Sequence, residues 1–204
     1  MNNYQEMNEI QLDLLKELGS IGGGNAATAL SSILGTKVNM ALPKVEMLGF
    51  NEALALLGDP EEVIAAILVE MSGGVEGIML FLLSKEFSDE ILYRMLNKPP
   101  VDLFELDEID ISGLTEIGNI VISSYVTAMS SLSSVEMELS VPQFAVNMLG
   151  GIMSMPMAMM GQYSDQIMMI TGEFQIDGKA LHSDMLLLPD VRSLEVLMKK
   201  LGVN

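Results

Sequence analysis

Ser112–Asn119 reads SGLTEIGN, and 99 residues earlier Asp13–Ser20 reads DLLKELGS. Each stretch opens on a small polar or acidic residue. A glutamate follows four positions later, a glycine two further on, and then a polar residue, Asn119 in one copy and Ser20 in the other. In an α-helix at about 100° per residue, positions i, i+4, i+7 and i+11 fall within an arc of roughly 60°. Ser112, Glu116, Asn119 and Ser123 therefore share one polar stripe, as do Asp13, Glu17, Ser20 and Gly24. Leu14, Leu18 and Ile21, and likewise Ile117, Ile120 and Val121, lie to one side. Each copy reads as an amphipathic helix carrying a carboxylate and a polar neighbour on its open face.

Outward from the first copy, residues 9–34 read as one helix with Ile10, Leu14, Leu18, Ile21 and Asn25 on one side and Gly35 as its C-cap. Gly22–Gly24 is unexpected there, since each glycine costs about 1 kcal/mol relative to alanine; the run marks a break or a very close contact. Lys37–Leu48 alternates as a strand interrupted at Pro43. Phe50–Leu57 is a short helix ended by Gly58, Asp59 and Pro60. Val63–Met71 and Gly77–Leu83 form a hairpin, and Ser84–Leu96 a helix stopped before Pro99 and Pro100. After the acidic segment Asp102–Asp110 the pattern restarts: helix over Ile111–Leu132, strand region over Val135–Met148, hairpin over Ile167–Phe174 and Ser183–Pro189, closing helix over Asp190–Leu201.

The offset of 99 holds for Glu17 and Glu116, Ser20 and Asn119, Ala29 and Ala128, and Pro43 and Pro142, then widens to 106, matching Met79 with Met185 and Ile91 with Leu197. The expectation is a single domain over residues 1–204, of α+β class. Two pseudo-twofold, duplicated halves, about 9–98 and 108–204, each supply helix, strand, hairpin and helix to one antiparallel sheet with helices packed on it.

Half of the 204 residues are hydrophobic, ample for a core. The net charge of −18 argues against nucleic acid and against an anionic membrane surface. There is no cysteine, which excludes thiol chemistry and suits the cytoplasm. The first residues, MNNYQEMNEIQ, have neither the basic nor the apolar segment of a signal peptide. Leu139–Ser164 carries no charge, but its prolines and glycines and the lack of flanking basic residues favour buried strands and loops over a membrane span. The 19 methionines indicate an adaptable core.

Among the candidate sites, Gly22, Gly24 and Ala27 match G-x-G-x-x-A, but the preceding residues have helical period where a dinucleotide site needs a strand. Gly19 and Gly118 read as places where one helix packs closely on another. His182, the one histidine, reads as structural or surface, and no EF-hand spacing appears. Glu116 with Asn119 is the pair able to do chemistry. It is nearly repeated at Glu17 with Ser20, and asparagine is a poor residue for a helix interior.

The arrangement [Asp/Ser]-x-x-x-Glu-x-x-Asn on two equivalent helices resembles the CheC/CheX/FliY phosphatases of chemotaxis. LLKELGSIGGGNAATALSSILGTKVNMALPKVEML and LTEIGNIVISSYVTAMSSL are similar to that family's two signatures, and the likeness covers essentially the whole chain. The resemblance implies removal of phosphate from the response regulator CheY and binding of the receptor deamidase CheD. It implies no cofactor or metal of the chain's own, the Mg²⁺ belonging to the CheY partner. Asn119 would orient the attacking water, Glu116 would pair with a lysine of the regulator, and Ser112 would serve as a helix cap or interface residue. Glu17 and Ser20 would form the corresponding first centre. Serine is about two atoms shorter than asparagine, so that centre departs from the pattern. The competing expectation is a non-catalytic protein, either a CheD-binding adaptor or a relative of the flagellar switch proteins.

Overall fold

The computed structural model describes residues 9–160 and 166–202. Residues 1–8, which include most of the stretch read as lacking a signal peptide, and residues 161–164 of the uncharged stretch lie outside them.

The chain begins with helix α1 (Glu9–Leu34), followed by strands β1 (Val38–Met40) and β2 (Lys44–Gly49), helix α2 (Phe50–Leu57), strands β3 (Val63–Gly73) and β4 (Gly77–Leu83), and helix α3 (Lys85–Leu96). A 3-10 turn at Leu103–Glu105 leads into the same succession again: α4 (Glu108–Ser133), β5 (Met137–Leu139), β6 (Gln143–Met148), α5 (Leu149–Met160), β7 (Gln166–Ile176), β8 (Lys179–Pro189) and α6 (Val191–Lys200). All pairings are antiparallel, within one sheet of order β1-β7-β8-β4-β3-β5, with β2 also on β7 and β6 also on β3. The order reads the same from either edge when the two successions are exchanged. Each hairpin thus receives the short strands of the other half, and β4 meets β8 at the central seam.

Both faces of the sheet are buried, which is why the strand sequences VIAAILV and IMLFLL are almost continuously apolar. Ile67, Val69, Met79 and Phe81 enter a core shared with α1, α3, α4 and α6. Ile64, Ala66, Leu80 and Leu82 enter a second core shared with α2 and α5. The molecule is therefore three layers, with the two long helices side by side on one of them.

Three local expectations are corrected. The glycine run, read as a break or a very close contact, is the close contact, and α1 is continuous through it. The buried side of α1 is Leu15, Leu18, Ala26 and Leu30, while Ile10, Ile21 and Asn25 are exposed. The shift arises because α1 packs against α4 through glycine: a Cβ on Gly22 would stand 2.9 Å from the Cα of Tyr125. Gly19 and Gly118, expected between helices, instead let their helices settle on the sheet. A Cβ there would lie 3.2 Å from Val45 Cγ2 and 3.1 Å from Ile67 Cβ, respectively. Finally, Leu149–Met160, read as strand and loop, is the helix α5. Gly150, Gly151 and Pro156 oppose it locally, but burial of Leu149, Ile152 and Met153 on the second core outweighs propensity.

The hairpin register adjusts the later offset. Ile67 pairs with Phe81 and Ile170 with Met185. Because Ile67 and Ile170 underlie the equivalent glycines Gly118 and Gly19, Met185 answers to Phe81 and not to Met79. Among the described residues no helix is long and apolar enough to cross a membrane.

Candidate functional site on the long helices

Asp107 caps α4, its carboxylate accepting from the backbone N–H groups of Ile109 and Asp110, while the Asp110 carboxylate accepts from Asp107 N. Lys98 bridges both acids at 2.5 and 2.7 Å, and its hydrogen bond to Asp107 is the main cause holding that carboxyl below its ordinary value. The helix therefore starts a turn earlier than expected, and Ser112 is not its cap. Ser112 lies exposed in the second turn, at the head of the polar stripe.

Along that stripe Glu116 is exposed and Asn119 half-buried. Ser123 donates its hydroxyl to the Asn119 carbonyl oxygen at 3.5 Å. That contact leaves the two N–H donors of the Asn119 amide for another molecule. Glu116 has no ion-pair partner among the described residues. Among the described residues, an unpaired carboxylate and an amide whose N–H groups have no partner thus stand one helical turn apart. The helix beneath them is fixed by Leu114, Ile117, Val121 and Ile122, all buried.

Glu17 and Ser20, expected to form the first centre, lie on α1 with different contacts. Glu17 is exposed. Ser20 donates its hydroxyl to the carbonyl of Lys16 at 2.9 Å, within its own helix, and Lys16 pairs with Asp13 at 2.8 Å. The position corresponding to Ser123 is Gly24, so neither member of the Asn119–Ser123 pair has a counterpart.

The other readings resolve simply. Gly22, Gly24 and Ala27 lie in the interior of α1, with no strand before them among the described residues. His182 is exposed, with Nε2 3.5 Å from Asp184 Oδ1. No group of three or more His, Cys, Asp or Glu side chains able to hold a metal occurs among the described residues. A cavity of about 770 Å³ beside α3 is lined by Ser84, Lys85, Glu90, Tyr93, Lys179 and His182, among others, and by no residue of either stripe. Glu116 stands exposed on the outer side of α4, open to a macromolecule.

The sequence reading missed Ser123 as the partner of Asn119, although it placed both on one stripe. The signal was the i, i+4 spacing itself, at which side chains on a helix meet.

A fold of this kind, with paired glutamate-bearing helices over a symmetric sheet, defines a recognisable class. The CheC-like family model matches residues 10–47 and 106–146, the two stretches containing the stripes. The chain is 30% identical, over 208 residues covering all of both chains, to the protein named CheY-P phosphatase CheC of Bacillus subtilis. Its fold matches the crystal structure of Thermotoga maritima FliY with a TM-score of 0.75 at 23% identity, over 97% of this chain and 98% of that one. It also matches a chain of the CheX–CheY–BeF₃–Mg²⁺ complex of Borrelia burgdorferi, with a TM-score of 0.53 at 18% identity, over 85% of this chain and 96% of that one. The chain belongs to the CheC-like family.

Proposed function

We propose that this protein is a phosphatase acting on the phosphorylated chemotaxis response regulator CheY, and that Glu116 and Asn119 of α4 form its working centre. The observation that carries the reading is the pair itself: an exposed, unpaired carboxylate one turn from an asparagine whose carbonyl is held and whose amide is free. The full-length likeness to a protein named for this activity supports it.

Hydrolysis of an aspartyl phosphate needs a water oxygen in line with phosphorus and the leaving carboxylate oxygen. The water oxygen bonds to phosphorus as the P–O bond to the aspartate breaks, releasing inorganic phosphate and the regulator's carboxylate. The transition state is loose, so positioning contributes much of the acceleration. Asn119 supplies it by hydrogen-bonding the water, and Glu116 fixes the approach by pairing with a basic residue of the regulator. The divalent cation on the phosphoryl oxygens is the regulator's own. CheD is a second partner in this reading, and the cytoplasm, where a response regulator works, is the compartment.

The test is the decay of phosphorylated CheY with and without the protein, repeated in the presence of CheD. Accelerated phosphate release is expected. A decay unchanged under both conditions would leave the non-catalytic adaptor reading in its place.

A further inference from the structure

We propose that Ser123 is a positioning residue of the dephosphorylation centre, its hydroxyl fixing which way the Asn119 amide faces. This rests on the function proposed above. A serine or threonine inside a helix ordinarily turns its hydroxyl onto the backbone carbonyl four residues earlier. Ser20, Thr28, Ser31, Ser124 and Ser133 do so, donating to Lys16, Gly24, Ala27, Ile120 and Met129 at 2.6–2.9 Å. Ser123 departs from this habit. The carbonyl four residues before it belongs to Asn119, yet its hydroxyl goes to the side-chain oxygen of that residue, at 3.5 Å. Ser124, its immediate neighbour on α4, keeps the backbone bond.

The destination matters because of the chemistry of an asparagine. The terminal torsion of its side chain is broad and roughly two-fold, so an unheld amide presents its NH₂ and its oxygen in turn to the same point. In-line attack on phosphorus needs the water held in one place and one orientation. A hydroxyl proton on Asn119 Oδ1 turns the NH₂ away from Ser123 and leaves the oxygen its second lone pair. Among the described residues this is the only hydrogen bond of the Asn119 side chain, so no other polar group selects between the two orientations. The contact is long for a hydroxyl, as catalytic contacts often are before the substrate docks, and it shortens when the regulator covers the stripe.

The first long helix offers a comparison. There the amide and its holder are missing together, with Ser20 in the place of Asn119 and Gly24 in the place of Ser123. A Cβ on Gly24 meets nothing within 4 Å, so packing does not exclude a serine at that place. Where there is no amide to orient, the orienting hydroxyl is absent as well.

The test is steady-state phosphate release from phosphorylated CheY by the full chain. Ser123→Ala is expected to lower kcat about 3–10-fold, the weight of ordering one flexible side chain, with the half-saturating concentration of CheY unchanged. Ser123→Thr, which returns a hydroxyl to the same place, restores kcat. In an Asn119→Ala background Ser123→Ala lowers kcat no further, since no amide remains to be held. An unchanged melting temperature shows that the loss in Ser123→Ala does not come from unfolding. Ser123→Ala at the wild-type rate overturns the proposal and leaves the function standing. So does a loss of the same size in both backgrounds, a loss that Ser123→Thr leaves unrepaired, or one carried by half-saturation alone. A wild-type chain that does not accelerate phosphate release overturns both readings.

Discussion

Asn119 is held at one end and free at the other, and its effect on rate follows from that. Asn119→Ala is expected to lower the rate of CheY dephosphorylation about 10²–10³-fold, the usual loss for one positioning contact, with a smaller change in half-saturating substrate. Ser20→Ala removes only a bond to Lys16 O within the helix and changes the rate little. Full activity in Asn119→Ala, measured as phosphate release, would move the working centre elsewhere. A second residue of consequence is Asp184, buried on β8 with Oδ1 lacking a hydrogen bond among the described residues. Burial raises its carboxyl above the ordinary 3.8, against the opposing effects of His182 and of a hydrogen bond with Thr171. The native state then holds that proton more tightly than the unfolded chain. Its contribution to stability is greatest below pH 3.8 and is lost as pH rises through the native value. Asp184→Asn should stabilise the protein by about 1 kcal/mol at pH 7, with the gain vanishing toward pH 3. A gain in melting temperature that is the same at both pH values would contradict this account.

At the scale of elements, the meeting of α1 with α4 depends on one glycine, while another nearby faces open space. A Cβ on Gly22 would collide with the Cα of Tyr125 at 2.9 Å, backbone that cannot step aside, whereas a Cβ on Gly24 meets nothing within 4 Å. Gly22→Ala should therefore destabilise by about 1–3 kcal/mol despite alanine's better helix propensity. Gly24→Ala should stabilise by about 0.5–1 kcal/mol. Urea titration of the two variants checks the signs, and two changes of the same sign would refute the packing account. Burial between these helices also pushes the Tyr125 hydroxyl well above its ordinary value of 10.0, its oxygen lying 3.7 Å from Met40 Sδ. Tyr125 is thus shielded from water at this junction.

For the whole molecule, the decisive feature is the exchange of short strands. β2 runs along β7 from Lys44↔Thr171 to Gly49↔Gln166, and β6 along β3 from Gln143↔Leu68 to Met148↔Val63. Neither succession of elements can complete its own part of the sheet. A single cooperative unfolding transition is expected for the full chain, and residues 1–98 or 108–204 produced alone should show none. A cooperative transition in either fragment, followed by circular dichroism, would refute this interdependence.

Much of this was legible in the residues. Spacing at i, i+4 and i+7 located both long helices, and the prolines at 43 and 142 located the interrupted strands. The offset of 99 matched Glu17 with Glu116, and both lie exposed on the long helices. These are local or periodic properties, which a sequence carries openly. Other features required the fold. The buried side of α1 was rotated from its apolar residues because Gly22 admits Tyr125, a contact between residues 103 apart in the chain. Gly19 and Gly118 proved to face the sheet, and α5 formed against its glycines and proline because a second core lay beneath it. That Ser20 is spent on its own helix while Asn119 keeps a free amide is likewise a matter of partners. Residue types state which bonds are possible. Only packing decides which of them are already made, and so which groups remain for a substrate.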